Sequence, residues 1–204
     1  MRGSPRLPPG DFAARTFPHV PARGTFYRCA VTARPLLDWD DRATSRFSSP
    51  TLPFPVLYLS ESRITGFWEC FGDELNDQPD GHKALYRTKH LAPRQWVRFQ
   101  IRPPLRVIDV TKAATLRKMG ADAGTFLAEY AVTQRWVEAL MSHPANLDGF
   151  FYRSRLDGEA QCLAVFGRPH LLRAHKRFGA KADGLLLKDT RLLLFLAEQD
   201  IGVL

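Results

Sequence analysis

The chain has 204 residues, 45% of them hydrophobic, which suffices for one full core and excludes two comfortable domains. Its net charge of +8, from 29 Lys and Arg against 21 Asp and Glu, favours anionic partners, yet without a long basic run it carries no nucleic-acid signature. Three scattered cysteines among apolar neighbours argue against a disulfide scaffold, and neither a leader-like h-region nor an apolar run long enough to span a bilayer is seen, so a soluble cytoplasmic protein is expected.

Residues 1–23 hold Pro5, Pro8, Pro9, Pro18 and Pro21 among Arg2, Arg6, Arg15 and Arg23. Proline fixes φ and removes a backbone donor, so this stretch reads as an extended basic lead-in to a domain spanning 24–204. Residues 24–31, GTFYRCAV, place aromatic and β-branched residues after a glycine and predict the first strand. Arg28 in its middle is either a wet-face cation or a guanidinium held by a partner or an anionic ligand. A polar loop with Trp39, Asp40, Asp41 and Arg42 then delivers Arg46.

Residues 45–73, SRFSSPTLPFPVLYLSESRITGFWECFGD, are the stretch the rest of the chain is built to position. A Pro-bounded loop carries Arg46 and Ser48, and the apolar run at 56–59 reads as a buried strand containing Tyr58. Ser60 and Ser62 offer N-caps for a helix whose stripe of Ile64, Phe67, Trp68 and Phe71 leaves Glu69 one position outside it. A cation, a phenol and a carboxylate thus come from a loop, a strand and a helix adjacent in sequence, as in the lining of a cleft. Each also has an ordinary reading, as a solvated cation, a core aromatic and an exposed helix residue.

Beyond an acidic, glycine-containing loop at 73–82, residues 94–101 alternate with period two and predict a half-buried strand, and 105–110 predict another. A short helix at 115–120 closes on Gly120. Over 125–142, Phe126, Tyr130, Trp136, Val137, Leu140 and Met141 mark the core side of an amphipathic helix. Residues 148–155, DGFFYRSR, lead from a turn into an aromatic strand, followed by a hairpin signal at 156–159 and a buried strand at 161–166. Residues 184–188 predict a last strand, and Asp189 N-caps a helix over 190–199 whose Leu192, Leu193, Phe195 and Leu196 face the core.

Nucleotide-binding glycine loops, HExxH and GxSxG are absent, and the six histidines show no metal spacing, so no metal is expected. Cys29 and Cys70 directly follow Arg28 and Glu69 but read as apolar filler.

Five blocks in order, Phe26-Tyr27-Arg28, Arg46-Phe47-Ser48, residues 56–60, Phe67-Trp68-Glu69, and residues 149–155 followed by 162–166, resemble the RES domain. The Arg, Glu and Ser that name this family fall on Arg28, Glu69 and Ser154. Two positions depart from the family's usual pattern: Ser45 stands where Gly often precedes the arginine, and Ser48 where Asn often follows it.

The resemblance implies an α/β (α+β) fold, a single domain with a mixed, mainly antiparallel β core flanked by helices, related to ADP-ribosylating toxins. It also implies the toxin of a bacterial type II toxin–antitoxin pair, with NAD as substrate and a cognate antitoxin as partner. Glu69, Arg28 and Ser154 would be catalytic, and Arg28, Arg46, Tyr58, Ser48 and Tyr152 would bind NAD. Cleavage of the nicotinamide–ribose bond develops an oxocarbenium-like cation, which a preorganised carboxylate stabilises while arginines grip the diphosphate. Arg153, Ser154 and Arg155 on one short segment are expected to hold phosphate. Three functions follow: an NAD phosphorylase or glycohydrolase, a mono-ADP-ribosyltransferase with a protein target, and a non-enzymatic module that docks an acidic protein.

Overall fold

A computed structural model describes residues 7–40, 45–52, 54–76, 84–157 and 160–204. The chain begins with β1 (Val20–Val31), β2 (Val56–Ser60), α1 (Arg63–Asn76), β3 (Leu85–Tyr86), α2 (Thr88–Leu91) and β4 (Arg94–Asp109). It continues with α3 (Ala113–Met119), α4 (Tyr130–Ser142), β5 (Gly149–Arg153), β6 (Gln161–Phe166), α5 (Pro169–Leu172), β7 (Lys181–Leu185), α6 (Thr190–Glu198) and β8 (Gly202–Val203). Residues 1–6 of the lead-in, Asp41 and Arg42, residues 77–82 of the acidic loop, and Gly158 and Glu159 of the hairpin signal lie outside the described residues.

Six strands form one sheet in the order β1-β2-β6-β5-β4-β7, and β1 also pairs with β4, so the first five strands close into a circuit. Only β4 and β5 run parallel in it, and β3 and β8 form a separate parallel pair. The joins are unequal: β1 and β4 are paired from Val20↔Val107 to Val31↔Arg94, whereas β1 meets β2 only at Tyr27↔Ser60. Alternate residues of β2, β5 and β6 feed two cores, since successive side chains of a strand point to opposite faces. Leu57, Leu59, Phe151, Leu163 and Val165 join Phe26, Val97 and Phe99 of β1 and β4. Val56, Phe150, Tyr152, Ala164 and Phe166 pack instead with Phe126, Trp136 and Val137. The fold is the mixed, mainly antiparallel β core with flanking helices that the family resemblance implies.

Four local expectations are corrected. The lead-in boundary at residue 23 falls inside β1, and Phe12 and Phe17 are buried with ring contacts to His143, because their apolar area outweighs the surrounding prolines. The strands expected at 94–101 and 105–110 are one, β4. Pro103 and Pro104 are tolerated within it because β4 itself bulges there: the register passes from Gly24↔Ile101 to Ala22↔Leu105, so Arg102, Pro103 and Pro104 stand opposite Arg23 alone and the prolines fall outside the ladder. The last strand spans Lys181–Leu185, and Leu186–Lys188 is a 3-10 turn. Tyr130 is 39% exposed: the stretch 125–142 breaks into a 3-10 turn at Thr125–Leu127 and then α4, so Tyr130 enters at the first helical position with a shifted phase.

Helix α1 carries Glu69, and its position is fixed at its N-terminal end by two adjacent residues. Ser62 caps it by accepting the Thr65 amide at 3.0 Å, and Arg63 bonds Asp183 at 2.6 Å and Asp189 at 2.8 Å. Asp189 also caps α6 through the Arg191 and Leu192 amides. Burial pushes its carboxyl up, but the Arg63 guanidinium and those amides outweigh it and hold the group below its ordinary range. A depressed folded value means that this carboxylate's contribution to stability is present above about pH 4 and is lost as the pH falls through the folded value. Asp189→Asn is therefore expected to be less stable than wild type at pH 7 and to show a shallower loss of stability below about pH 4. Urea titrations across that range test it, and parallel acid limbs would contradict the coupling.

The β5–β6 pair depends on a close approach. A β-carbon on Gly149 would lie 2.1 Å from the Ala164 carbonyl oxygen, where Gly149 pairs with Val165. Gly149→Ala is expected to cost about 3 kcal/mol. An unchanged urea midpoint would contradict this.

Candidate active site

Because β1 and β2 touch only at Tyr27 and Ser60, they part beyond that pair, and a cavity of about 480 Å³ opens there. It is lined by Arg28 of β1, Arg46 of the following loop, Tyr58 of β2, Glu69 of α1 and Tyr152 of β5. Five residues expected at the site from sequence are thus brought together.

Glu69 is the most constrained of them. The Tyr152 hydroxyl donates to its Oε2 at 2.8 Å, and the Ser154 hydroxyl donates to its Oε1 at 2.6 Å. Ser154 in turn accepts the amides of Leu156 and Asp157 at 3.2 and 3.1 Å. Burial, together with the nearby Cys162 and Glu69, pushes the Tyr152 hydroxyl well above its ordinary range, so it remains a donor. Each carboxylate oxygen keeps acceptor capacity, and the side chain is exposed to the cavity.

Arg46 is held by aromatic faces. Its guanidinium lies 4.8 Å from the Phe47 ring centroid and 5.9 Å from that of Tyr152. Its Nε and one terminal nitrogen are buried without a hydrogen-bond partner among the described residues. Burial draws the guanidinium below its ordinary value, with Tyr152 and Glu69 opposing, and an arginine so placed stays cationic. The loop bearing it is tied to α4: Thr133 donates to the Arg46 carbonyl at 2.9 Å and Gln134 to the Ser45 carbonyl at 3.0 Å. From the other side, the Tyr58 hydroxyl accepts the Phe47 amide at 3.1 Å. Arg28 donates to the Asp38 carbonyl.

Two expected ligand contacts prove to be scaffold. Ser154 is 1% exposed and sits behind Glu69, its hydroxyl used three ways. Ser48, 4% exposed, donates to the Ser45 carbonyl at 2.6 Å and accepts from Gln134 at 3.3 Å, so it shapes the loop from outside the cavity. The expected phosphate segment does not converge either: Ser154 turns inward, Arg155 pairs with Asp73 at 2.9 Å, and Arg153 is an exposed residue outside the cavity lining.

The cavity also has a lining cation that sequence reasoning missed. Arg94 heads β4, its guanidinium 5.3 Å from the Phe71 ring centroid and its Nε buried without a hydrogen-bond partner among the described residues. Of the five arginines on the walls, Arg34 and Arg155 pair with Asp38 and Asp73, while Arg28, Arg46 and Arg94 form no ion pair among the described residues. Such a surplus of charge suits an anion with more than one negative group. Among the described residues no group of three His, Cys, Asp or Glu side chains could hold a metal, and no helix is long and apolar enough to cross a membrane.

The class is that of an α/β domain whose closed sheet parts over a carboxylate, facing arginines that form no ion pair among the described residues. Within that class the RES domain profile matches residues 19–185, and the chain belongs to the RES domain family. The matched region starts where β1 starts. In three dimensions the chain is similar to a chain of the crystal structure of the M. tuberculosis MbcT–MbcA toxin–antitoxin complex, with a TM-score of 0.57 and 16% identity over 81% of this chain and 84% of that one. At that identity the likeness concerns the fold. No curated protein matches the sequence.

The support beneath Glu69 gives a test that needs no substrate. Ser154→Ala strands the Leu156 and Asp157 amides and one side of the carboxylate. It is expected to lower stability by about 1 to 3 kcal/mol, read from urea unfolding, whereas loss of a ligand contact alone would leave the midpoint in place.

Proposed function

We propose that this RES domain is the toxin of a bacterial toxin–antitoxin pair and that it cleaves the nicotinamide–ribose bond of NAD. The observation that carries the reading is the Glu69 carboxylate, fixed by Tyr152 and Ser154 and exposed to a cavity whose Arg28, Arg46 and Arg94 have no acidic partner among the described residues. The toxin–antitoxin context is supported by the solved complex whose fold this chain shares.

In this reading the dinucleotide's diphosphate is gripped by Arg28 and Arg46 through charge-assisted hydrogen bonds. Tyr58 presents an aromatic face to the nicotinamide riboside. As the glycosidic bond lengthens, positive charge grows on the anomeric carbon and ring oxygen, and Glu69 stabilises it without reorganising, because both its oxygens are already oriented. Nicotinamide leaves as a neutral base, and a small nucleophile, phosphate or water, takes its place on ribose. Tyr152 and Ser154 act through Glu69 as positioning residues. The partner is an antitoxin encoded beside the toxin, and an acidic segment laid against Arg28 and Arg46 would mimic the nucleotide's charge.

Purified protein is expected to release nicotinamide from NAD with no protein acceptor present, and faster when phosphate is added. Glu69→Gln, nearly isosteric but uncharged, should lower that rate about 10² to 10³-fold with folding intact. The assay is run beside labelled NAD in cell lysate. Negligible release by the protein alone, with label on one lysate protein, would overturn hydrolysis and phosphorolysis in favour of transfer to a protein.

A further inference from the structure

The reaction proposed above leaves two thiols at the cavity unused. Cys29 follows Arg28 on β1 and Cys70 follows Glu69 on α1, and both line the cavity. The Cys70 thiol donates to the Cys29 carbonyl at 3.7 Å, which places it against the strand position that carries the Cys29 thiol. Cys29 is 4% exposed, as a filler cysteine would be, but Cys70 is crowded by protein and still presents accessible surface to the cavity.

We propose that Cys29 and Cys70 form an oxidation-sensitive pair that peroxide joins as a disulfide, linking β1 to α1 at the wall of the active site. The roles of the two sulfurs differ. The hydrogen bond from Cys29 lowers the Cys70 thiol to about 7, and the Arg94 and Arg28 guanidiniums act in the same direction, against burial and the charge of Glu69. The same bond, then burial, keeps Cys29 protonated. Cys70 is therefore the sulfur that peroxide meets as a thiolate, and Cys29 is its resolving partner. The Cys70 thiolate attacks one peroxide oxygen, the O–O bond breaks, and the departing hydroxide takes a proton to become water, leaving a sulfenic acid. The Cys29 sulfur then attacks the sulfenic sulfur, the S–O bond breaks, and the hydroxyl leaves as water with the Cys29 proton. Two thiols lose two electrons and one peroxide is reduced to two waters. Cys162 is fully buried and its thiol is pushed up by burial, so it serves as an internal control.

The consequence for turnover rests on the NAD reading; the bond itself does not. A covalent link between the residues that follow Arg28 and Glu69 moves those two groups relative to each other, and a displacement of about 1 Å at a reacting centre lowers rate about 100-fold. The experiment exposes the full-length protein to hydrogen peroxide and counts free thiols after denaturation. The count is expected to fall from three to one, with peptide mapping placing the bond between Cys29 and Cys70. Nicotinamide release should fall about 100-fold and return with dithiothreitol. In Cys29→Ala, Cys70 has no resolving thiol and should pass to the sulfinic acid, which dithiothreitol does not reverse. If that variant fails to fold, Cys70→Ala serves, with treated and untreated rates expected to match. A thiol count that stays at three, or oxidation of Cys70 in the wild type without loss of Cys29, overturns the proposal. Because thiols are counted without substrate, a protein that does not turn over NAD still tests the pair.

Discussion

Glu69 sits on one turn of α1, but its direction is set by residues 83 and 85 positions later in the chain, the Tyr152 hydroxyl and the Ser154 hydroxyl. A carboxylate whose two oxygens each accept a short hydrogen bond is oriented before any ligand arrives, and the desolvation of its site is offset. Those bonds exist only if β5 keeps its register on β6 and β6 keeps its register on β2, which places α1 next in the chain. The tight Gly149 contact and the Arg63 anchor serve the same end, because each fixes one carrier of the Glu69 constellation.

Around this carboxylate the cavity solves a charge problem by an indirect route. Converging arginines repel one another, and a protein could quieten them with aspartates, as it does for Arg34 and Arg155. Arg46 and Arg94 instead lie over Phe47, Tyr152 and Phe71. An aromatic face attracts a cation through its quadrupole but does not neutralise it. The guanidiniums are therefore held in place while their charge stays available to an incoming anion. This distinguishes the inner arginines from those whose charge is already matched.

What was legible in the sequence were the features set locally. The strand at 56–60, the cap at Asp189, the glycine ending α3 and the placing of Glu69 just outside the apolar stripe of α1 each depend on a few neighbouring residues, and each is found where the sequence places it. Arg28 and Arg46 were legible as a mid-strand cation and a loop cation, and the family pattern drew attention to Tyr152, which lines the cavity. What was not legible depends on partners distant in the chain. The inward turn of Ser154 is completed by its bond to Glu69, 85 positions earlier, and Ser48 is claimed by Gln134 from a separate helix. Arg94 looked like the first residue of an alternating strand, and only its position opposite Val31 brings it to the cavity. Pro103 and Pro104 divide a strand in any reading that cannot see the bulge they occupy opposite Arg23 of β1.

The pairing of β1 with β4 joins residues 63 positions apart at Val31↔Arg94 and 87 apart at Val20↔Val107. Long-range pairing of this kind is paid in loop-closure entropy before it is rewarded, and chains are synthesised from the N-terminus at about 5 to 20 residues per second. While the ribosome is still extending β4, Arg28, Arg46 and Glu69 have all been made, but nothing yet orients the carboxylate. Tyr152 and Ser154 emerge late, and β6, which holds them in register, later still. The nascent chain therefore carries these functional groups, from Glu69 until β6 ends at Phe166, without an assembled site, and assembly comes as one late, cooperative step.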